Sequence, residues 1–262
     1  MINLVSRERI RDELVKLIIL SPPSEGILML EELGLLEMIL PELQAAVGFE
    51  QKSPYHHEDL FRHSLSVMDR TRPDLSLRLA ALFHDLGKIE AERFIARDPA
   101  DEQDYYVYWG HQEGSLKKSR NIMKRLRFPK QLREEVEFLV CHHMINYQAD
   151  WKDSTIRRLI RRLGPHLEKM MELFRADTTA LKPVYDKAEE VRELERRIAG
   201  VRLEEVRRIK CPLDGHEIQK ILGIGPGKRI GEVKEEIIGA ILDGTIRADK
   251  EEARKFLIGA KG

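Results

Sequence analysis

The feature that most constrains how this chain can fold is the adjacent pair His84-Asp85, which ends an apolar helical run in LRLAALFHDLG. Leu75, Leu79, Leu82, Phe83 and Leu86 fall at i, i+4, i+7, i+8 and i+11, the stripe of an amphipathic helix. Gly87 is predicted to stop that helix, which puts His84 and Asp85 in its last turn. A core helix that ends in an imidazole and a carboxylate must give both groups partners, because burying either one unpaired is costly. Nitrogen and carboxylate oxygen side by side suit a divalent metal of intermediate hardness.

Further ligands would have to lie on the core faces of other helices, and candidates do. His63 lies three residues after Leu60 and four before Val67, on the inward face of the preceding helix. Leu132, Val136, Leu139 and Val140 form another stripe, which His143 continues while His142 falls off it. After Pro165 the stripe Leu167, Met170, Met171, Phe174 leads to Asp177. A lone histidine on an apolar face is usually a core residue with one hydrogen bond. His63, His84, Asp85 and Asp177, all on buried faces, read together as a metal centre.

This H…HD…D pattern resembles the HD-domain metal-dependent phosphohydrolases. The resemblance is closer to the neck, HD and tail portion of bacterial tRNA nucleotidyltransferases and poly(A) polymerases. It is carried by SRERIRDELVKLI (6–18), LEELGLLEMILPEL (30–43), YHHEDLFRHSL (55–65), LAALFHDLGK (79–88), WGHQEGS (109–115), RLRFP (125–129), CHHM (141–144) and RADT (175–178), with a weaker match near 213–232. It implies an all-α fold: a helical HD bundle flanked by N-terminal neck helices and a C-terminal helical tail. Those enzymes begin with a nucleotidyltransferase head marked by a Gly-Gly or Gly-Ser turn and paired aspartates. No such pattern precedes Ser6 or occurs elsewhere, so the chain is expected not to add nucleotides to RNA by itself.

The expected division is a neck over 1–50, a metal-binding HD domain over 51–185 and a tail over 186–262. Residues 6–20 and 26–40 read as two amphipathic helices separated by Ser21-Pro22-Pro23, the second ended by Pro41. Arg97–Asp104 reads as an acidic, Pro-containing loop. Tyr105–Trp109 reads as a short β-hairpin or an aromatic lid over the metal, packing being the commoner role for such rings. A charged helix over 186–199, a connector and three short helices complete the tail.

The 262 residues allow one large or two modest domains. Lys+Arg and Asp+Glu both number 45, so no overall field favours nucleic acid or membrane. Cys141 and Cys211 offer neither a disulfide framework nor metal spacing, which points to reduced thiols and a cytoplasmic location. No run approaches the roughly 18 apolar residues that span a bilayer, and the N-terminus has no signal-like core. Abundant Glu, Lys and Arg with three Asn lean toward a thermophilic source.

Two imidazoles and two carboxylates would leave open positions on an octahedral ion, which marks a catalytic metal. One or two ions per chain are expected, drawn from Mn, Fe, Co, Ni, Zn or Mg. Such an ion lowers the pKa of its water and offsets phosphoryl charge, which suits attack by water on a phosphate ester. Asp85 or Asp177 could act as the base. Lys88 either meets a phosphate oxygen as a point charge or is a solvated lysine. By the resemblance, His111 and His143 match positions that ligate a second ion in two-metal HD proteins, or bind phosphate beside a single ion.

The resemblance implies phosphatase or 2′,3′-cyclic phosphodiesterase chemistry on a nucleotide or RNA-terminus substrate. Basic runs lend support: Lys117-Lys118, Arg120, Lys124-Arg125 and Arg127, then Arg157, Arg158, Arg161 and Arg162, whose i, i+4 pairs could track phosphates. In a highly charged chain these are also plain solvated faces. The turn Gly223–Arg229, with Lys228, is an interhelical turn or a phosphate-binding helix start. The expectation is a metal-dependent phosphohydrolase. The competing expectation is an RNA-binding accessory module that partners tRNA or a separate nucleotidyltransferase subunit.

Overall fold

The protein is represented by a computed structural model that describes residues 5–53, 58–91, 93–97, 104–181 and 187–259. Tyr55, His56 and His57 of the motif, residues 98–103 of the acidic loop and residue 186 at the expected tail-helix start lie outside the described residues. The chain groups into two units, Met1–Asn146 with Glu168–Val191, and Tyr147–Leu167 with Arg192–Gly262. Both are mostly helical.

In the first unit α1 (Arg7–Ile19) starts at Ser6, whose hydroxyl accepts from the Arg9 amide, and buries Ile10, Leu14 and Ile18. The second neck helix is shorter than its sequence pattern. It begins on Pro23, where the missing amide costs nothing, and α2 (Pro23–Glu32) closes at Gly34 with φ 66°. There the Leu35 and Gly34 amides donate to the Leu30 and Glu31 carbonyls at 2.8 and 2.9 Å, a left-handed cap that ends the helix. The expected 26–40 helix is thereby split, and α3 (Leu36–Ile39) and α4 (Pro41–Gln44) follow as single turns.

The bundle is built around α5 (Leu60–Asp69) and α6 (Leu75–Phe83), capped by Asp59 and Asp74. Every residue of α6 from Ser76 to Phe83 is buried, so this helix is the axis of the unit. Arg78 is among them: its guanidinium donates to the Ile18 and Leu20 carbonyls at 2.7 and 2.6 Å, at the C-terminal end of α1. Those carbonyls have no helical partner, and a buried cation supplies one.

Gly87 does not act as the predicted helix stop. Helix α6 ends at Phe83, and Gly87 lies in a 3-10 turn, Leu86–Ile89. A Cβ on Gly87 would come 2.0 Å from the His111 carbonyl oxygen and 2.5 Å from the Ser115 amide. The glycine is required by close backbone approach, and its amide donates to Ser115 Oγ at 2.8 Å.

The strands β1 (Arg93–Arg97) and β2 (Asp104–Tyr108) pair antiparallel, Arg93 opposite Tyr108 and Arg97 opposite Asp104. The aromatic run thus takes the hairpin alternative. Two long helices follow, α7 (His111–Arg125) and α8 (Lys130–His142), packed on each other, with α8 also against α6. The chain then enters the second unit through α9 (Asp153–Leu163) and returns as α10 (Leu167–Thr179), which carries Asp177.

The second unit continues with α11 (Ala188–Ala199), α12 (Leu203–Arg208), α13 (Gly215–Leu222), α14 (Lys228–Leu242) and α15 (Lys250–Gly259). Its small separate core is formed by Leu213, Ile218, Val233, Ile237, Ala253 and Leu257. The expected connector holds α12, which packs on α9. No helix among the described residues is long and apolar enough to cross a membrane.

Candidate metal centre

Six side chains from five segments of the first unit meet at one place. His63 comes from the middle of α5, His84 and Asp85 from the end of α6, and His111 from the first position of α7. His143 comes from the end of α8, and Asp177 from α10. All are buried except Asp177, whose side chain is 27% exposed. His142, read as off the stripe, is half-buried and stacks on Phe138.

Asp85 is the hub. Its Oδ2 lies 3.3 Å from His84 Nε2 and 3.8 Å from His63 Nε2, while its Oδ1 lies 3.1 Å from His111 Nε2 and 3.6 Å from His143 Nε2. On the Oδ2 side, Asp177 Oδ1 completes the set at 3.1 Å from His63 and 3.6 Å from His84. The site therefore consists of two groups that share one carboxylate: His63, His84 and Asp85, and Asp85, His111 and His143.

The tautomers are fixed by the backbone. His84 Nδ1 donates to the Ala81 carbonyl at 2.8 Å, His111 Nδ1 to Tyr108 at 2.7 Å and His143 Nδ1 to Val140 at 2.7 Å. A carbonyl only accepts, so each Nδ1 carries the hydrogen. In the neutral ring each Nε2 then presents a lone pair to the centre, an arrangement found in metal-binding histidines. His111 Nε2 and His143 Nε2 face each other at 3.2 Å, which for two neutral rings sets lone pair against lone pair. His84 Nε2 is buried without a hydrogen-bond partner among the described residues.

A cation resolves all of this. Ligands about 2.1 Å from one ion stand about 3.0 Å apart on an octahedral edge and about 3.4 Å apart on a tetrahedral one. The 3.1–3.8 Å separations around Asp85 and Asp177 start just above the octahedral edge and span the tetrahedral one. The donor set fits a divalent metal.

In the metal-free chain a proton does part of the ion's work. Burial pushes His84 down, but Asp85 and Asp177 reverse this and raise its pKa to about 10. Burial pushes both carboxyls up, and the polar and charged groups around them hold each well below the usual range: the His84 and Lys88 charges foremost for Asp85, and the contacts with His63 and His84 for Asp177. Burial lowers His143, against the pull of Asp85, which keeps its ring neutral.

Lys88 is not the solvated lysine that the sequence offered as one of two alternatives. It is buried, with Nζ donating to Asp85 Oδ2 at 2.6 Å and to Gln51 Oε1 at 2.9 Å. The sequence reading missed Gln51, which carries no motif and is reached only through this contact.

The basic residues are largely spoken for. Lys118 pairs with Glu90, Arg120 with Glu137, Arg125 with Glu42 and Arg127 with Glu8. In the second unit Arg157 donates to the Leu242 carbonyl, Arg161 to the Ile209 carbonyl, and Arg158 pairs with Asp243. These arginines pin α9 to neighbouring segments. Lys228 opens α14 with its side chain 94% exposed, and Gly223 forms the left-handed cap of α13.

A family model described as the HD domain matches residues 60–192. A second, described as a probable RNA and SrmB-binding site of polymerase A, matches residues 1–47. A CC-adding tRNA nucleotidyltransferase of Thermus thermophilus is 34% identical over 268 residues, covering 99% of this chain and 58% of the relative. An A-adding tRNA nucleotidyltransferase of Deinococcus radiodurans is 34% identical over 260 residues, 95% of this chain and 57% of the relative. A multifunctional CCA protein of Chromobacterium violaceum is 33% identical over 159 residues, 59% of this chain and 37% of the relative. The chain thus spans less than two thirds of the length of these relatives.

Proposed function

The chain belongs to the HD-domain family, with a neck of the kind found in polymerase A, and on that premise we propose that it is a metal-dependent phosphohydrolase. Its substrates in this reading are nucleotides or RNA ends, cleaved as phosphate monoesters or as 2′,3′-cyclic diesters. One observation carries the reading: Asp85 turns one oxygen to each of two groups of buried imidazoles whose Nε2 atoms converge on it.

His63, His84, Asp85 and Asp177 would hold one ion. His111 and His143, with Asp85, would hold a second rather than bind phosphate. A phosphate-binding imidazole must donate, and here the Nδ1 hydrogens are already given to carbonyls, while His143 is kept neutral by burial. When bound, the metal would activate water and neutralise phosphoryl charge. Asp177 rather than Asp85 would be the carboxylate that takes a proton, a choice supported by its more exposed side chain and by the engagement of both Asp85 oxygens. Lys88, held beside Asp85, supplies a fixed positive charge to a phosphoryl oxygen.

The tRNA named in the relatives makes an RNA 3′ end the first substrate to try. The test begins with metal content by mass spectrometry. Turnover of 2′,3′-cyclic nucleotides and a generic phosphodiester is then followed before and after chelation. Bound transition metal with chelator-sensitive turnover is expected; no metal even after adding it back would refute the reading.

The match of residues 1–47 to an RNA-binding region favours one other reading, an RNA-binding accessory module that partners tRNA or a separate nucleotidyltransferase subunit. Asp85→Ala separates the two. It abolishes hydrolysis and spares RNA affinity if the first reading holds. A wild type that binds RNA but turns over no ester favours the second.

A further inference from the structure

Gln51 stands between residues 1–47 and 60–192, in a segment that neither family model covers. It is nonetheless 2% exposed and one hydrogen bond from the metal centre's lysine. Lysine only donates, so the amide oxygen must face Lys88, and the orientation of the Gln51 amide is fixed. Nε2 is then forced to the other side, where it is buried with no acceptor among the described residues. Leaving a buried N–H without an acceptor is unfavourable, and such a group asks for an explanation.

The segment is held in place for this. Tyr108 Oη donates to the Gln51 carbonyl at 2.9 Å, and the Tyr106 amide donates to the Lys52 carbonyl at 2.9 Å. Lys52 is kept at φ 42°, a left-handed conformation that lysine rarely adopts. Strain of this kind persists only where the surroundings over-determine it. The same β2 strand orients His111 through the Tyr108 carbonyl. Gln51 also lines an open cavity of about 470 Å³ with Lys52, Ser53 and Glu50. Two further carboxylates there are engaged, Asp59 with the Gly48 and Arg62 amides and Glu58 with Ser66 Oγ.

We propose that Gln51 is a substrate-binding residue of this centre: its Oε1 holds Lys88 beside Asp85, and its Nε2 donates to a phosphoryl oxygen of the bound ester. This rests on the hydrolase reading above and adds a neutral donor beside the lysine charge. In this reading the fixed amide and the lysine ammonium act on the same ester from their two positions. Charge-assisted donation to phosphate is among the stronger hydrogen bonds.

The test measures binding of inorganic phosphate to the metal-loaded full chain by calorimetry, for wild type, Gln51→Met and Gln51→Glu. Metal content and thermal midpoint are recorded alongside. Gln51→Met removes both amide functions at nearly constant volume; Gln51→Glu keeps an acceptor for Lys88 and removes the donor. Both should bind phosphate at least about tenfold more weakly, with metal content unchanged and little loss of stability in Gln51→Met. A purely structural role would instead move the thermal midpoint and leave phosphate affinity alone. Gln51→Met binding phosphate as wild type does would overturn the inference, and would assign any loss in Gln51→Glu to charge repulsion. A wild type that carries metal yet binds no phosphate would overturn the inference and the hydrolase reading together.

Discussion

Gly87→Ala is the sharpest test of how the centre is assembled. The Gly87 backbone does not need glycine for its φ, since it is absent from the positive-φ residues; what it needs is space. An added Cβ would stand 2.0 Å from the His111 carbonyl oxygen, 2.5 Å from the Ser115 amide and 2.9 Å from the Gly114 carbonyl carbon, where real Cβ atoms keep at least 3.0 Å. All three are backbone atoms, so no side chain can swing aside. The 3-10 turn and α7 must part by about 1 Å or more, which stretches the bond from the Gly87 amide to Ser115 Oγ. Overpacking typically costs about 1–3 kcal/mol and a lost hydrogen bond about 1 kcal/mol. The gain from a stiffer unfolded chain offsets up to about 1 kcal/mol. The net expectation is about 2–3 kcal/mol of destabilisation, seen in urea unfolding or as a fall of roughly 4–12 °C in the thermal midpoint of the first unit. Because α7 begins with His111, the same displacement should loosen His111 from Asp85 and lower metal occupancy there. Gly114→Ala is the control. Its Cβ would meet the Gly87 Cα at a marginal 3.0 Å, and alanine gains about 1 kcal/mol inside a helix, so it should be within about 1 kcal/mol of neutral. A Gly87→Ala protein as stable as wild type would refute the close-approach argument.

Other outcomes follow from the same geometry. Arg78→Met leaves the Ile18 and Leu20 carbonyls without their buried donor and should cost roughly 3–6 kcal/mol, since two hydrogen bonds to a charged group are lost at about 1.5–3 kcal/mol each; chemical denaturation measures it, and a loss under about 0.5 kcal/mol would refute it. In the metal-free chain His84 is raised from 6.5 to about 10. Its imidazolium therefore stabilises the fold fully below pH 6.5, and that contribution is lost as pH rises through about 10. Metal must displace the same proton, so metal affinity should climb with pH across that window while metal-free stability falls. A pH-independent affinity between pH 7 and 9, measured by competition with a calibrated chelator, would contradict the assignment. His111→Ala should halve metal content while retaining the ion held by His63, His84 and Asp177, as mass spectrometry of the desalted protein would reveal. Unchanged stoichiometry would remove His111 from the ligand set.

The helical class and the candidate ligands His63, His84, Asp85 and Asp177 are legible in the sequence, because period and chemistry are local properties. The stripes place His63, His143 and Asp177 inward by i+3 and i+4 spacing, His84-Asp85 ends the apolar run of α6, and all five side chains meet at the centre. The family resemblance added His111, which the structure places 3.1 Å from Asp85. Where local rules competed, the pattern was ambiguous. Leu36 and Ile39 continue an apolar stripe, and only the cap at Gly34 breaks it. Tertiary structure alone decided what depends on residues far apart in the chain. A lysine and a glycine after an HD pair look like a surface charge and a helix stop. They become a buried donor and a point of backbone contact only when α7 and the Gln51 segment close on them. The arginines of α9 look like a phosphate track until the carbonyls of Leu242 and Ile209 arrive. The two groups around Asp85 belong to the same category: sharing one carboxylate between four imidazoles is a property of how helices pack, and no spacing along a single helix encodes it.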